Sequence, residues 1–405
     1  MILDSVKTKL AKYGQEHLLM YFDELSESEK TALLDQIDNL DMSCLEENSL
    51  SKDTGEIAPI EIMELKEITE KSDEFKKVGL SIIKEGKAAA LMLAGGMGTR
   101  LGSDSAKGKF DIGVTKELFI FECQMNNLMD VVNEAGAWIH LFIMTSDKNN
   151  DETIEFFKEK NYFGYNPEFV HFFVQEKSPT TDKNGKILLE DKGVVSTSPN
   201  GNGGWLISLR KSGLDSIIEK NNIEWINVFA VDNVLQKMCD PVFIGATVMA
   251  NCSMGSKVVR KTDPNERVGV MCLEDGRPSI VEYYDLSDEM RYAKNDKGEY
   301  EYYFGVILNY IFKYDALCKV DKCEMPFHVV EKAITCLDEN GVSTKSDKPN
   351  GYKYETLVLD MIKSMDSCLP FEVVREREFA PIKNRYGTDS VDTARELLKQ
   401  NGIKI

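Results

Sequence analysis

Apolar positions change their spacing along the chain and divide it into segments of different character. Near the start they recur at helical spacing: Leu3, Val6 and Leu10, then the stretch Leu18 to Phe22. Ser26 and Ser28 stand before Glu29, Lys30 and a second periodic set, Ala32, Leu33, Ile37 and Leu40, which predicts a helix opening there. Asp38 to Asp41 is a break, and Ser49 to Gly55 reads as a polar linker. Ile57 to Met63 is largely apolar. The charged stretch Glu64 to Asp73 reads as a solvated face, and Lys77 to Lys87 as a helix leading into the next segment.

Beyond that helix, short apolar runs alternate with helical patterns. Ala88 to Leu93 reads as a buried parallel strand, although periodicity alone leaves a short helical segment open. Trp138–Thr145, Phe169–Gln175 and Trp225–Val231 read as further strands, with helices over Leu118–Val132 and Thr153–Lys160 between them. This alternation favours an α/β fold with a doubly wound, mixed but mostly parallel sheet. Lys183, Asn184 and Gly185 predict a hairpin turn. Ser256–Val259 and Val268–Cys272 predict strands joined by a turn around Pro264. Residues 326–340 read as helical, Phe371–Arg375 as a strand, and Thr388–Gln400 as holding a final helix that starts near Ser390. The expected organisation is a helical N-terminal extension over 1–85, a main α/β domain over 86–383 and a short C-terminal helical segment over 384–405.

Composition narrows the partners. With 405 residues the chain can build one large α/β domain with appendages, or two domains. A net charge of −19 repels polyanions, so nucleic acid is not an expected partner. The 9 cysteines lack C-x-x-C pairs and the 4 histidines lack metal-ligand spacing, which argues against structural zinc and suits free thiols in the cytoplasm. The opening MILDSVKTKLAKYG has no long apolar core, and no run reaches about 18 apolar residues, so neither a signal peptide nor a membrane span is expected.

Candidate chemistry concentrates after the first buried strand. Gly95, Gly96, Gly98 and Gly102 follow it, with Arg100, Lys107 and Lys109 close behind. Glycines let backbone N–H groups approach an anion, and the basic side chains add charge, so this reads as a phosphate-binding loop. The bland alternative is a glycine-rich turn with exposed basic residues. The third glycine is one place late for a dinucleotide fingerprint, which makes an NAD-dependent redox enzyme the least favoured reading, and the G-K-[S/T] of a Walker A loop is missing. A second glycine-rich stretch, Ser198 to Trp205, carries Asn200, Gly201 and Asn202. Asp232 follows the Trp225–Val231 run; a carboxylate at a strand end suits Mg²⁺, and helix capping is its competing use.

LAGGMGTRLG followed by KGKFDIGV resembles the signature of the eukaryotic-type UDP-sugar pyrophosphorylases, above all their UDP-N-acetylhexosamine branch. The likeness extends through SPNGNGG, DPVFIG, GSKVVRKTDPNERVGVMC, VEYYDLS, DKPNGYKYETLVLDMI and EFAPIKN. It covers nearly everything after about residue 87 and is weak before it. The resemblance implies transfer of uridylate from UTP to N-acetylglucosamine 1-phosphate, giving UDP-N-acetylglucosamine and pyrophosphate, with Mg²⁺ (Mn²⁺ as a substitute) held by Asp232. It implies catalytic roles for Arg100, Lys107 and Lys383. It implies nucleotide-sugar contacts from Leu93, Ala94, Gly95, Gly96, Gln175, Gly201, Asn202, Asp232, Glu282 and Gly305, with Gln175 and Gly201 at the uracil and Glu282 on sugar hydroxyls. A monomer is expected, since the longer C-terminal domain of larger relatives is not present here. The chain departs from the family pattern at Ala106, where proline is common, at Asn200, where aspartate is usual, and at Tyr303 and Val306, where hexosamine-type members carry asparagines. The last departure leaves a UDP-glucose or broad-specificity enzyme as an alternative. A non-catalytic nucleotide-sugar binding protein is the alternative of a different class.

Overall fold

The computed structural model describes residues 2–46, 55–320 and 325–405, so the expected linker lies outside the described residues except for Gly55. The chain forms two compact units. The larger comprises 54–174, 205–320 and 361–405, the smaller 1–53, 175–204 and 321–360. These units cut across the three segments expected from the sequence.

In the larger unit, Ala88–Leu93 is a strand with every residue buried. It pairs in parallel with Trp225–Ala230 on one side and His140–Thr145 on the other, and Val170–Val174 continues the parallel run. Unbroken apolar runs, rather than alternation, mark strands covered on both faces. Beyond Trp225–Ala230 the direction changes. Phe304–Lys313 pairs antiparallel with it, and also with Met254–Arg260 and Val270–Glu274. Arg277–Val281 and the two-residue strand Ile57–Ala58 add to Val270–Glu274, and Cys368–Glu372 adds in parallel to Met254–Arg260. The resulting 10-stranded sheet is mixed, and its parallel stretch is concentrated around the glycine loop.

Helices Leu65–Lys84, Ile120–Ala135 and Pro241–Met249 share a core with this sheet. The first begins well before Lys77. The charged stretch taken for a solvated face is therefore its opening half, with Ile68 and Phe75 buried on the inner side. Two glycines let this helix lie directly on Pro241–Met249: a Cβ on Gly79 would stand 1.9 Å from the Pro241 carbonyl oxygen, and one on Gly245 1.8 Å from that of Phe75. The final helix is Val391–Gln400, capped by Ser390 as expected.

In the smaller unit, helices Ile2–Tyr13 and Glu27–Asn39 form at the start of the chain. Ser26 and Glu29 close a capping box, with each side chain satisfying a backbone N–H of the first turn. These helices do not stand alone. Val6, Leu10, Leu33 and Ile37 share a core with Ile187, Leu189 and Val195 from mid-chain. The turn at Lys183–Gly185 forms, with the Asp182 N–H donating to Lys186 O at 2.8 Å. Residues 326–340 are not helical. His328–Lys332 pairs with Gly351–Glu355, which pairs in turn with Thr181–Asp182, and Thr335–Leu337 pairs with Ser343–Lys345. Val329 and Val330 suit a pleated surface, and their partners lie too far along the chain for a local pattern to reveal.

Among the described residues every cysteine is free, no helix is long and apolar enough to cross a membrane, and no three His, Cys, Asp or Glu side chains cluster as metal ligands.

Candidate active site

The glycine loop leaves the C-terminal end of Ala88–Leu93, where open α/β sheets place ligands. Ala94 is held by its N–H to Met144 O at 2.8 Å. The loop then doubles back on itself: Gly98 N–H donates to Ser105 O at 2.8 Å and Lys107 N–H to Gly96 O at 3.0 Å. Among the described residues, the N–H groups of Gly95, Gly96 and Met97 have no hydrogen-bond acceptor. Successive open amides of this kind are what an anion-binding concavity requires.

Lys107 projects from a short turn, Lys107–Lys109, and its Nζ lies 3.0 Å from Asp232 Oδ2. Gly108 makes room for this turn, since a Cβ there would meet the Phe121 ring at 2.3 Å. Ala106 takes φ −51°, which proline also adopts. Here, however, its N–H donates to Glu152 Oε1 at 2.5 Å, while Glu152 Oε2 accepts from Lys109 Nζ at 3.2 Å. A carboxylate thus supplies the bracing that proline would give by ring closure.

Asp232 follows Trp225–Ala230, the parallel neighbour of the loop strand. Its main chain is fixed from two sides. The buried amide of Gln124 donates to the carbonyls of Val231 and Asn233, both at 2.8 Å, and Ile382 N–H donates to Asp232 O at 2.9 Å. That last bond brings the segment holding Lys383 alongside Asp232. Lys383 Nζ lies 3.2 Å from Asp389 Oδ2 and the side chain is 47% exposed. Arg100 is exposed on the turn Thr99–Leu101, and no contact among the described residues ties it to the Lys107–Asp232 pair. Lys257 is fully buried between Asp240 Oδ2 (3.0 Å) and Glu378 Oε2 (2.6 Å). Burial opposes its charge, but the two carboxylates outweigh it and raise its pKa above the ordinary lysine value.

The antiparallel pairing Phe229↔Asn309 sets the start of Phe304–Lys313 at the same end of the sheet as Asp232. Gly305 is buried there, and Val268 occupies the space a side chain would need, with Cγ1 2.6 Å from a built Cβ. Tyr303 stacks on Tyr300 at 5.1 Å. Glu282 stands half-buried just past Arg277–Val281.

The remaining candidates belong to the smaller unit. Gln175 is buried, and its Nε2 donates to Gly201 O at 2.5 Å and to Asn200 Oδ1 at 3.3 Å. Gly201 has φ +88°, and a Cβ on it would stand 2.2 Å from Thr356 O. Asn202 Oδ1 accepts from Val358 N–H at 2.9 Å, so part of that side chain caps a neighbouring segment.

Gln124 and Asn149 were not singled out from the sequence. Asn149, fully buried, donates from Nδ2 to Ala94 O at 3.0 Å and Gly96 O at 3.3 Å. The available signal was a polar amide at a position the fold had to bury.

A family model described as UTP–glucose-1-phosphate uridylyltransferase matches residues 34–390. The chain is 35% identical to a UDP-N-acetylglucosamine pyrophosphorylase of Saccharomyces cerevisiae, over 95% of this chain and 84% of the relative. Among solved structures, it resembles a uridine diphosphate N-acetylglucosamine pyrophosphorylase from Trypanosoma brucei, crystallised with an inhibitor, at TM-score 0.82 and 27% identity, covering 98% of this chain and 84% of the other. A structure described as a UDP-N-acetylglucosamine pyrophosphorylase from Entamoeba histolytica matches at TM-score 0.77 and 30% identity, covering 85% of this chain and 88% of that one.

Proposed function

Because the chain belongs to the UTP–glucose-1-phosphate uridylyltransferase family, we infer that it is a UDP-N-acetylglucosamine pyrophosphorylase, joining UTP and N-acetylglucosamine 1-phosphate into UDP-N-acetylglucosamine and pyrophosphate. A phosphate oxygen of the sugar phosphate attacks the α-phosphorus of UTP. The bond from that phosphorus to the oxygen bridging the β-phosphorus breaks, and pyrophosphate leaves. The nucleophile is already anionic, so no general base is required, and alignment with charge stabilisation carries the rate.

The observation that carries this reading is the run of open amides at Gly95–Met97 beside Lys107 and Asp232. We assign the triphosphate to those amides, with Arg100 and Lys107 on the departing pyrophosphate. Lys383 neutralises the sugar phosphate. Gln175 and Gly201 select the uracil, with Asn202 and Glu282 on the sugar side. Leu93, Ala94 and Gly305 contribute backbone only. Asp232 fits a Mg²⁺ site of the kind that needs one protein carboxylate plus substrate phosphates, because Oδ2 faces Lys107 while Oδ1 has no acceptor or donor partner among the described residues. When bound there, the metal neutralises phosphate charge; Mn²⁺ has the same preference for oxygen. We assign the chain to the cytoplasm, whose reducing conditions suit the free thiols.

A broader sugar range is the second reading. Tyr303 and Val306 favour it, since one offers a single hydroxyl and the other no polar atom where the branch uses amides. Pyrophosphate release, measured with UTP, Mg²⁺ and a panel of sugar 1-phosphates, tests both. Turnover with N-acetylglucosamine 1-phosphate is expected. Turnover with glucose 1-phosphate alone moves the assignment to the second reading, and UDP-sugar binding without turnover on any sugar sinks the enzymatic reading.

A further inference from the structure

We infer that Asn149 is a positioning residue for phosphate recognition, its side-chain amide turning the carbonyls of Ala94 and Gly96 inward so that the N–H groups of Gly95 and Met97 face out. This deepens the uridylyltransferase reading and rests on it. Asn149 Nδ2 reaches both Ala94 O and Gly96 O, at 3.0 and 3.3 Å. Its Oδ1 accepts from the N–H and hydroxyl of Ser146, at 2.8 and 3.1 Å. The side chain is fully buried, so its orientation is set by these four bonds.

Peptide geometry supplies the next step. Among the described residues there are no cis peptide bonds, and in a planar trans unit the N–H points opposite to the C=O. A carbonyl of Ala94 drawn toward Asn149 sends the Gly95 N–H the other way. A carbonyl of Gly96 drawn the same way does the same for Met97. Gly96 O also accepts from Lys107 N–H at 3.0 Å, so the carbonyl that orients an amide also anchors the backbone of the lysine. Only a primary amide offers two donors for the loop and an acceptor for Ser146 at this size.

Asn149→Asp tests this. It keeps the shape and the bonds from Ser146 but turns lone pairs on two carbonyls. Inorganic pyrophosphate binding, measured by calorimetry near pH 8, is expected to weaken about tenfold or more. KM for UTP rises in parallel, and KM for the sugar 1-phosphate at saturating UTP does not. As pH falls toward about 6, the buried carboxyl takes up a proton, regains a donor, and recovers part of the affinity relative to wild type. Asn149→Ser, which folds without introducing a charge, shows the loss without the recovery. A merely space-filling role predicts no such pH dependence. Wild-type pyrophosphate affinity in both variants overturns the inference, as does a defect of Asn149→Asp that is constant with pH, or a wild-type protein that binds no pyrophosphate. A wild-type protein that binds pyrophosphate but turns over no sugar phosphate sinks the proposed activity and leaves this calorimetric test standing.

Discussion

The two glycine-rich loops engage their peptide groups differently with similar residues. At Gly95–Met97 three consecutive N–H groups are open while Ala94 O and Gly96 O are engaged, with Lys107 and Asp232 beside them. In Asn200–Gly204 most of the engaged polar groups are tied to neighbouring segments. Asn200 N–H donates to Glu176 O, Asn200 O accepts from Thr356 N–H and hydroxyl, Gly201 O accepts from Gln175, and Gly203 N–H donates to Thr356 O. The first loop keeps donors in reserve for charge. The second keeps two, at Gly201 and Asn202, and its bonds to Glu176, Gln175 and Thr356 hold it as a fixed contour. A run of glycines therefore does not by itself announce phosphate; what matters is which half of each peptide is already engaged.

Chelating divalent metal should have the largest effect, abolishing pyrophosphate release, and Asp232→Asn should raise the Mg²⁺ concentration needed for half-maximal rate. Retained turnover in excess EDTA would remove the metal from the account. Lys107→Ala comes next: kcat is expected to fall about 10²- to 10³-fold, the range for losing one preorganised charge-stabilising contact. A variant within about threefold of wild type would erase the electrostatic half of the contrast. For the contour-forming loop, Gly201→Ala places a side chain at φ +88° and 2.2 Å from Thr356 O. It should cost about 1–3 kcal/mol, read as a higher KM for UTP with kcat little changed. A fall in kcat with KM unchanged would mean that this loop acts in the transition state as well. The smallest effect is expected from Ala106→Pro. The ring suits φ −51° but deletes the N–H that meets Glu152, so about 1 kcal/mol should be lost, seen as a lower melting temperature. An unchanged or higher melting temperature would show that ring closure replaces the carboxylate brace in full.

Much of the larger unit was legible because its signals are local. Ala88–Leu93 is a strand over the residues read from its apolar run, and Asp232 follows its partner strand as expected. Ser26 and Glu29 announced their helix through adjacent chemistry. What stayed hidden depends on distant partners. Asn149 acts on carbonyls 55 and 53 residues away, and Gln124 on carbonyls 107 and 109 away. Residues 326–340 misled for the same reason, since Val329 becomes a strand residue only when Tyr354 lies opposite. The first helices looked like an extension because their apolar faces are filled by Ile187, Leu189 and Val195, which no window over residues 1–60 contains. Glu64–Asp73 misled differently: its charges were read correctly as wet, but they line one side of a helix whose other side is dry.

The reciprocal glycine contact between Leu65–Lys84 and Pro241–Met249 bears on how this protein can be dissected. Main chain rests on main chain at Gly79 and Gly245, so neither partner can be trimmed or shimmed without unseating the other. A shortened protein cut just ahead of the first buried strand would lose one side of that seat and expose the apolar flank of the other. A fragment meant to retain the sheet should begin near residue 55, upstream of the edge strand and the long helix, and one begun at residue 86 should come out insoluble.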